Sequence, residues 1–211
     1  ESRGADLLIL DIKLPGMSGV EALQKIRSGP AEYATLPVIM ISGHASLAEA
    51  VDAAHRSGLI HRDLKPANIM VHGGDDGVWW PWVTDFGLAK DLEAPGVTQQ
   101  GTTLGTPAFM PPEQARGRTD ELDARSDVYS LGATLFAALG GRPPFAAEST
   151  AEVLAQVIQD DPPHLAEIGV SVPPDLESIV ARCLEKDPDR RYQTAGALAE
   201  DLARYLNDLP V

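Results

Sequence analysis

The chain has 211 residues, 44% of them hydrophobic and 23% charged, with 31 acidic against 17 basic side chains and a formal charge of −14. That length suits one large domain, or a domain with a fragment, and is enough to bury a sizeable core. The charge excludes binding to nucleic acid or an anionic membrane through bulk attraction, no apolar run approaches the roughly 18 residues of a membrane span, and the opening ESRGAD is not a signal peptide.

The chain starts without Met and runs almost at once into the apolar stretch Leu7–Leu10, which reads as a fragment whose upstream part is absent. DLLILD predicts a short buried strand, and Pro15-Gly16 a turn. Ser18, with Glu21 three residues on, forms a capping box that opens a helix over Val20–Arg27. After Gly29-Pro30, LPVIMIS predicts a second buried strand. Strand, helix and strand make a βαβ unit with parallel strands and a right-handed crossover.

Ser46 and Glu49 form another capping box. The helix behind it carries Leu47, Ala50, Val51 and Ala54 on one face and ends at Gly58. Two hairpin-like pieces follow, IHRDLKPANIMV and VWWPWVTDFG, then a polar loop from about Asp91 to Thr106. The rest is helical. Val128, Leu131, Leu135 and Leu139 mark one helix. Ser149 and Glu152 cap the next, with Val153, Val157 and Ile158. Leu176, Ile179, Val180, Cys183 and Leu184 mark a third, and Leu198, Leu202, Tyr205 and Leu206 the last. The single cysteine, Cys183, reads as a buried thiol; it excludes an internal disulfide and fits a reducing cytoplasm. There is no Cys/His cluster for zinc. Trp79, Trp80 and Trp82 fall in one hairpin, as packing on its own lobe or as a docking patch.

HRDLKPAN at 61–68 and TDFG at 84–87 carry the chemistry. Phosphoryl transfer needs an acceptor for the hydroxyl proton, cations on the phosphates and ligands for Mg²⁺. Asp63 can orient the attacking hydroxyl and take its proton. Lys65 can neutralise the transferred phosphate. Asn68 and Asp85 offer oxygen ligands, which suit a hard cation.

IHRDLKPANIM resembles the catalytic loop of serine/threonine protein kinases, and DFGLAK their metal-binding loop. Lys65 two residues after Asp63, with Thr106 in GTP, is the serine/threonine-type pattern. The resemblance implies Asp63 as catalytic base, Asn68 and Asp85 as metal ligands, and Lys65 and Thr106 in contact with base and phosphate. His61, Arg62, Phe86 and Gly87 complete the two motifs as structural or regulatory residues. GTPAFMPPEQ resembles the segment that closes the activation loop, with Pro111-Pro112-Glu113 where the family has Ala-Pro-Glu. By the same likeness Glu113 pairs with Arg191, and Asp127 holds the backbone of the His61–Arg62 turn. RPPF at 142–145 is also family-like. Arg62 in such kinases often pairs with a phosphate on the activation loop. Thr98, Thr102 and Thr103 are the candidate acceptors, or residues of a plain solvated loop. ATP, Mg²⁺ and a protein substrate carrying Ser or Thr are implied.

Residues 1–60 contain no GxGxxG, and neither Lys13 nor Lys25 sits in a VAIK-like strand, so the small lobe that holds ATP is expected to be missing. Instead DLLILDIKLPGMSGVEALQKIR and LPVIMISGH resemble the middle of a response-regulator receiver domain. That likeness implies Asp11 as phospho-acceptor and Ser42 as switch hydroxyl. The receiver's first strand and the acids that hold its Mg²⁺ are absent, which makes Asp11 a poor site. AEAVDAAHRSGLIHRDLKP reads as receiver or as kinase up to Lys65-Pro66, and Lys65 as the receiver lysine is one alternative. The expectation is an α+β chain: a partial receiver over 1–45, a mainly helical kinase large lobe over 46–207 and a tail over 208–211. Three readings of function stand: a serine/threonine kinase of little or no activity on its own, for which a separate small lobe in trans is a conceivable partner; a scaffold without catalysis; or a truncated chimera.

Overall fold

The computed structural model describes residues 8–10, 13–14, 17–18, 38–73, 79–84 and 107–211. Strands β1 (Leu8–Leu10) and β4 (Val38–Met40) pair in parallel, Leu8 opposite Val38 and Leu10 opposite Met40. Between them in sequence lies a small antiparallel ribbon, β2 (Lys13–Leu14) with β3 (Met17–Ser18). A parallel pair requires a crossover connection; the helix expected over 20–27 lies outside the described residues.

Helix α1 (Ile41–Arg56) follows β4 directly. Two expectations are corrected here. The second strand stops at Met40, and Ser46 lies inside the helix rather than at its start, so the boundary drawn between 45 and 46 falls within α1. A short apolar run such as LPVIMIS cannot be divided between strand and helix by periodicity alone. The buried face is also rotated. Leu47, Ala48 and Val51 are buried, while Ala50 is exposed. Alanine has too little apolar surface for sequence to say which of two neighbours turns inward. Gly58, at φ +79°, closes the helix in the left-handed conformation, with Leu59 N donating to the Ala54 carbonyl at 3.0 Å.

Strands β5 (Ile69–Gly73) and β6 (Trp79–Val83) form an antiparallel hairpin, and all three tryptophans lie on β6. Then come α2 (Pro112–Ala115), α3 (Ala124–Gly140), α4 (Thr150–Gln159), α5 (Pro174–Cys183) and α6 (Ala195–Leu206). Asp123 and Ser126 cap α3 reciprocally, Ser149 caps α4 and Thr194 caps α6. Residues Ser126 to Ala138 of α3 are buried all round, as a helix through the middle of a lobe must be. Leu47 and Val51 of α1, Ile179 and Cys183 of α5, and Leu198 and Leu202 of α6 pack around it. A second cluster joins Val153 and Val157 of α4 to Ala108 and Phe145. The described residues are thus mostly helical, with little strand.

Candidate active site

Helix α1 delivers its C-terminal end to the first turn of α3, and the chain then turns through His61–Arg62 into a 3-10 turn, Pro66–Asn68, and β5. Arg62 has φ +66°, a conformation that costs a non-glycine residue of order 1–3 kcal/mol. Its neighbours hold it there. The buried Asp127 carboxylate accepts from His61 N at 2.7 Å and from Arg62 N at 2.8 Å, and Gln114 Nε2 donates to the Arg62 carbonyl at 3.0 Å. His55, in the last turn of α1, donates Nε2 to Asp127 at 2.8 Å. His61 lies buried with Nε2 2.9 Å from the Thr84 carbonyl, which can only accept. That places the ring proton on Nε2 and leaves Nδ1 to accept from Asp63 N at 3.2 Å.

The turn so held brings three of the sequence-derived residues together. Lys65 Nζ lies 3.0 Å from Asp63 Oδ2. Asn68 Nδ2 donates to the Asp63 carbonyl at 2.9 Å and approaches Oδ2 at 3.3 Å. Both of these bonds leave from the amide nitrogen, so the amide oxygen is the atom that would face a cation. Thr84 N donates to the Asn68 carbonyl at 2.9 Å, which ties the end of β6, one residue before Asp85, to this turn. A small cavity between loop and following segment is lined by Arg62, Asp63, Lys65, Phe109, Met110 and Gln114.

The wall carrying Phe109 and Met110 is anchored from below. Ser130 Oγ of α3 donates to the Phe109 carbonyl at 2.9 Å. Glu113 accepts from Arg191 on both oxygens at 2.9 Å and from Ser126 Oγ at 2.7 Å. Burial pushes the Glu113 carboxyl up, but the Arg191 bonds and charge and the Ser126 hydroxyl outweigh it and hold the group below the usual carboxylate range.

Asp85, Phe86, Gly87, Thr98, Thr102, Thr103, Thr106 and Asp11 lie outside the described residues. Ser42 falls in the first turn of α1. Among the described residues no group of three or more His, Cys, Asp or Glu forms a metal site. The donors at hand are amide and carboxylate oxygens, which fit Mg²⁺ rather than zinc. Sequence reasoning missed His55. Its signal was a histidine one helical turn beyond Val51, on the buried face and just ahead of the HRD motif.

The profile of the protein kinase domain matches residues 36–203. The chain belongs to the protein kinase domain family. In this kinase-family chain a second profile, the response regulator receiver domain, matches residues 1–70. The two overlap over 36–70, the stretch that includes α1 and the HRD turn. Over 162 residues the chain is 43% identical to the serine/threonine-protein kinase PknB of Mycolicibacterium smegmatis, covering 76% of this chain and 25% of that protein. It is 42% identical over 170 residues to PknB of Mycobacterium tuberculosis (79% and 26%). It is 35% identical over 178 residues to a probable serine/threonine-protein kinase of Streptomyces coelicolor (83% and 26%). The kinase-family chain therefore spans about a quarter of the length of these relatives. Among its described residues no helix is long and apolar enough to cross a membrane.

Proposed function

We propose that this chain carries the C-terminal, substrate-holding lobe of a serine/threonine protein kinase, in which Asp63 takes the proton of a Ser or Thr hydroxyl during transfer of the ATP γ-phosphate. The observation that carries the reading is the cluster of Asp63, Lys65 and Asn68 within 3.0–3.3 Å, beside the cavity walled by Phe109, Met110 and Gln114. Asp63 orients the hydroxyl and accepts its proton. Lys65 donates Nζ to Asp63 Oδ2 and sets its ammonium where the phosphoryl charge develops. Asn68 and Asp85 would hold Mg²⁺, which when bound neutralises the phosphate oxygens. Met70, two residues beyond Asn68, is 60% exposed and offers an apolar surface on which a flat base could rest.

Residues 1–60 carry no Gly-rich loop and no VAIK-like lysine. Positioning of the nucleotide is worth roughly 7–11 kcal/mol, more than Asp63 can replace. Transfer by the 211-residue chain alone is expected at or below detection. A second reading, a binding module without catalysis, draws on the same missing groups.

The test is a labelled-ATP assay with Mg²⁺ and a threonine peptide, run with and without a separately made kinase small lobe from one of the relatives. Transfer is expected only in the complemented reaction, and Asp63→Asn is expected to lower it about 10²–10⁴-fold. Complemented transfer that Asp63→Asn leaves intact would remove Asp63 from the chemistry. No transfer from a folded, complemented chain would favour the binding module.

A further inference from the structure

The peptide bond between Arg62 and Asp63 is held at both of its polar atoms. Its N–H, on Asp63, donates to His61 Nδ1 at 3.2 Å. Its carbonyl, on Arg62, accepts from Gln114 Nε2 at 3.0 Å. A peptide unit is a rigid plane, so these two bonds set the angle at which the chain enters Asp63. The φ of +66° at Arg62 is what makes that plane costly to hold. Asp127 grips the two preceding peptides, through His61 N and Arg62 N, and leaves this one to His61 and Gln114. Gln114 stands on a firm post: it lies in α2 directly after Glu113, whose carboxylate is bound by Arg191 and Ser126. It also lines the same cavity as Asp63, Lys65, Phe109 and Met110. The side chain is only half-buried, so water could satisfy its amide and burial does not demand this bond. What the bond supplies is geometry.

We propose that Gln114 is a positioning residue for Asp63: it fixes the Arg62–Asp63 peptide from the side of the cavity wall, so that the carboxylate is aimed only while that wall is in place. The effect on transfer rests on the kinase reading above; the grip on the peptide does not. A displacement of the segment carrying Phe109 and Met110 carries α2 with it and draws the amide off the Arg62 carbonyl. The strained residue is then free to relax and the peptide plane to rotate. A rotation there swings the Asp63 carboxylate away from Lys65 and Asn68, which meet it at 3.0 and 3.3 Å. Position 114 thus needs a hydrogen-bond donor. Glutamine offers one at every pH, glutamate only when protonated, and methionine never.

The test pairs nuclear magnetic resonance of the isotope-labelled full chain with kinetics in the reaction complemented by a separate small lobe. In Gln114→Met at pH 7 the Arg62 carbonyl carbon and the Asp63 amide nitrogen are expected to shift upfield, the mark of a carbonyl that has lost its donor. Gln114→Glu should show the same shifts at pH 7 and return toward wild type as pH falls toward about 4.5, where its carboxyl takes up protons. In the complemented reaction at pH 7 both variants are expected to lower kcat about tenfold, with KM for ATP and for the threonine peptide within about twofold of wild type. Melting temperatures should stay within about 4 °C of wild type. Resonances of Arg62 and Asp63 that stay in place in Gln114→Met, or a raised KM with kcat intact, overturn the proposal. If Gln114→Met does not fold, Gln114→Glu carried through the same pH range decides. Transfer absent from the complemented wild type sinks the kinase reading, and the resonances still decide whether Gln114 holds the peptide.

Discussion

Arg191 uses every donor it has. Its five N–H groups meet five acceptors: both Glu113 oxygens and the carbonyls of Arg125, Glu185 and Lys186. The side chain is 1% exposed, so each donor left unmade would stay unmade. Lysine has three donors and no planar fork, and it cannot take this place. Arg191→Met should cost about 3–5 kcal/mol in urea unfolding, because it strands the buried Glu113 carboxylate. Glu113→Gln should cost a comparable amount by stranding the guanidinium. The double variant should lose clearly less than the sum. Additive losses would mean that the two side chains act independently. Sequence reasoning could pair Glu113 with Arg191 through the kinase resemblance. The three carbonyls that complete the set were not legible, because backbone acceptors leave no mark in residue type.

Helix elements were the most legible part of the chain, and the reasons differ from one to the next. Helices α3 to α6 have apolar spacings that mark them, α3, α4 and α6 carry capping side chains as well, and Ser149 accepts from Glu152 N as its position before the apolar run implies. The start of α1 was not legible, because its first turn continues an apolar run that also suits a strand. Gly132 shows a third case, a residue that local propensity argues against. Glycine in mid-helix costs about 1 kcal/mol relative to alanine. Here it lets α3 meet α5, since a Cβ at 132 would stand 2.2 Å from Cys183 Cβ and 3.4 Å from Cys183 Cα. Neither atom can swing away. Gly132→Ala should therefore lower stability by about 1–3 kcal/mol in spite of its better helix propensity. Cys183→Ala should not rescue it, because the clashing Cβ remains, whereas Cys183→Gly should restore part of the loss. Thermal melts of the four chains decide it, and rescue by Cys183→Ala would point to the sulfur instead. Burial pushes the Cys183 thiol up, so its role there is packing rather than reactivity.

At the scale of the whole chain, α1 separates two regions. Its sixteen residues span about 24 Å, with β4 entering at one end and the His55–Asp127 contact at the other. Strand β4 therefore meets α1 at the end opposite the catalytic turn, and β1, its partner, lies against α3. Sequence could show both likenesses but not this arrangement, because residues 36–70 satisfy both profiles and only tertiary contacts choose between them. Asp52 of α1 bonding Gly196 N of α6 at 2.9 Å is one contact that chooses the kinase lobe. Charge acts at the same scale. An excess of 14 negative charges repels itself near neutral pH, and titrating some of them should raise the melting temperature slightly between pH 7 and pH 5. Further acid should reverse the trend. Glu113 is held below the usual range, and so is Asp123, where burial is outweighed by its bonds to Arg125 and by the charges of Arg125 and Arg191. A carboxylate depressed in the folded state contributes stability above its unfolded value of about 4 and loses it as pH falls through the folded value. The melting temperature followed by circular dichroism should thus peak near pH 5–6 and drop steeply below about pH 4. Glu113→Gln should start from a lower plateau and show a shallower acid limb, because one of the two depressed groups no longer titrates. An equal slope in both chains would assign the acid loss to groups other than Glu113.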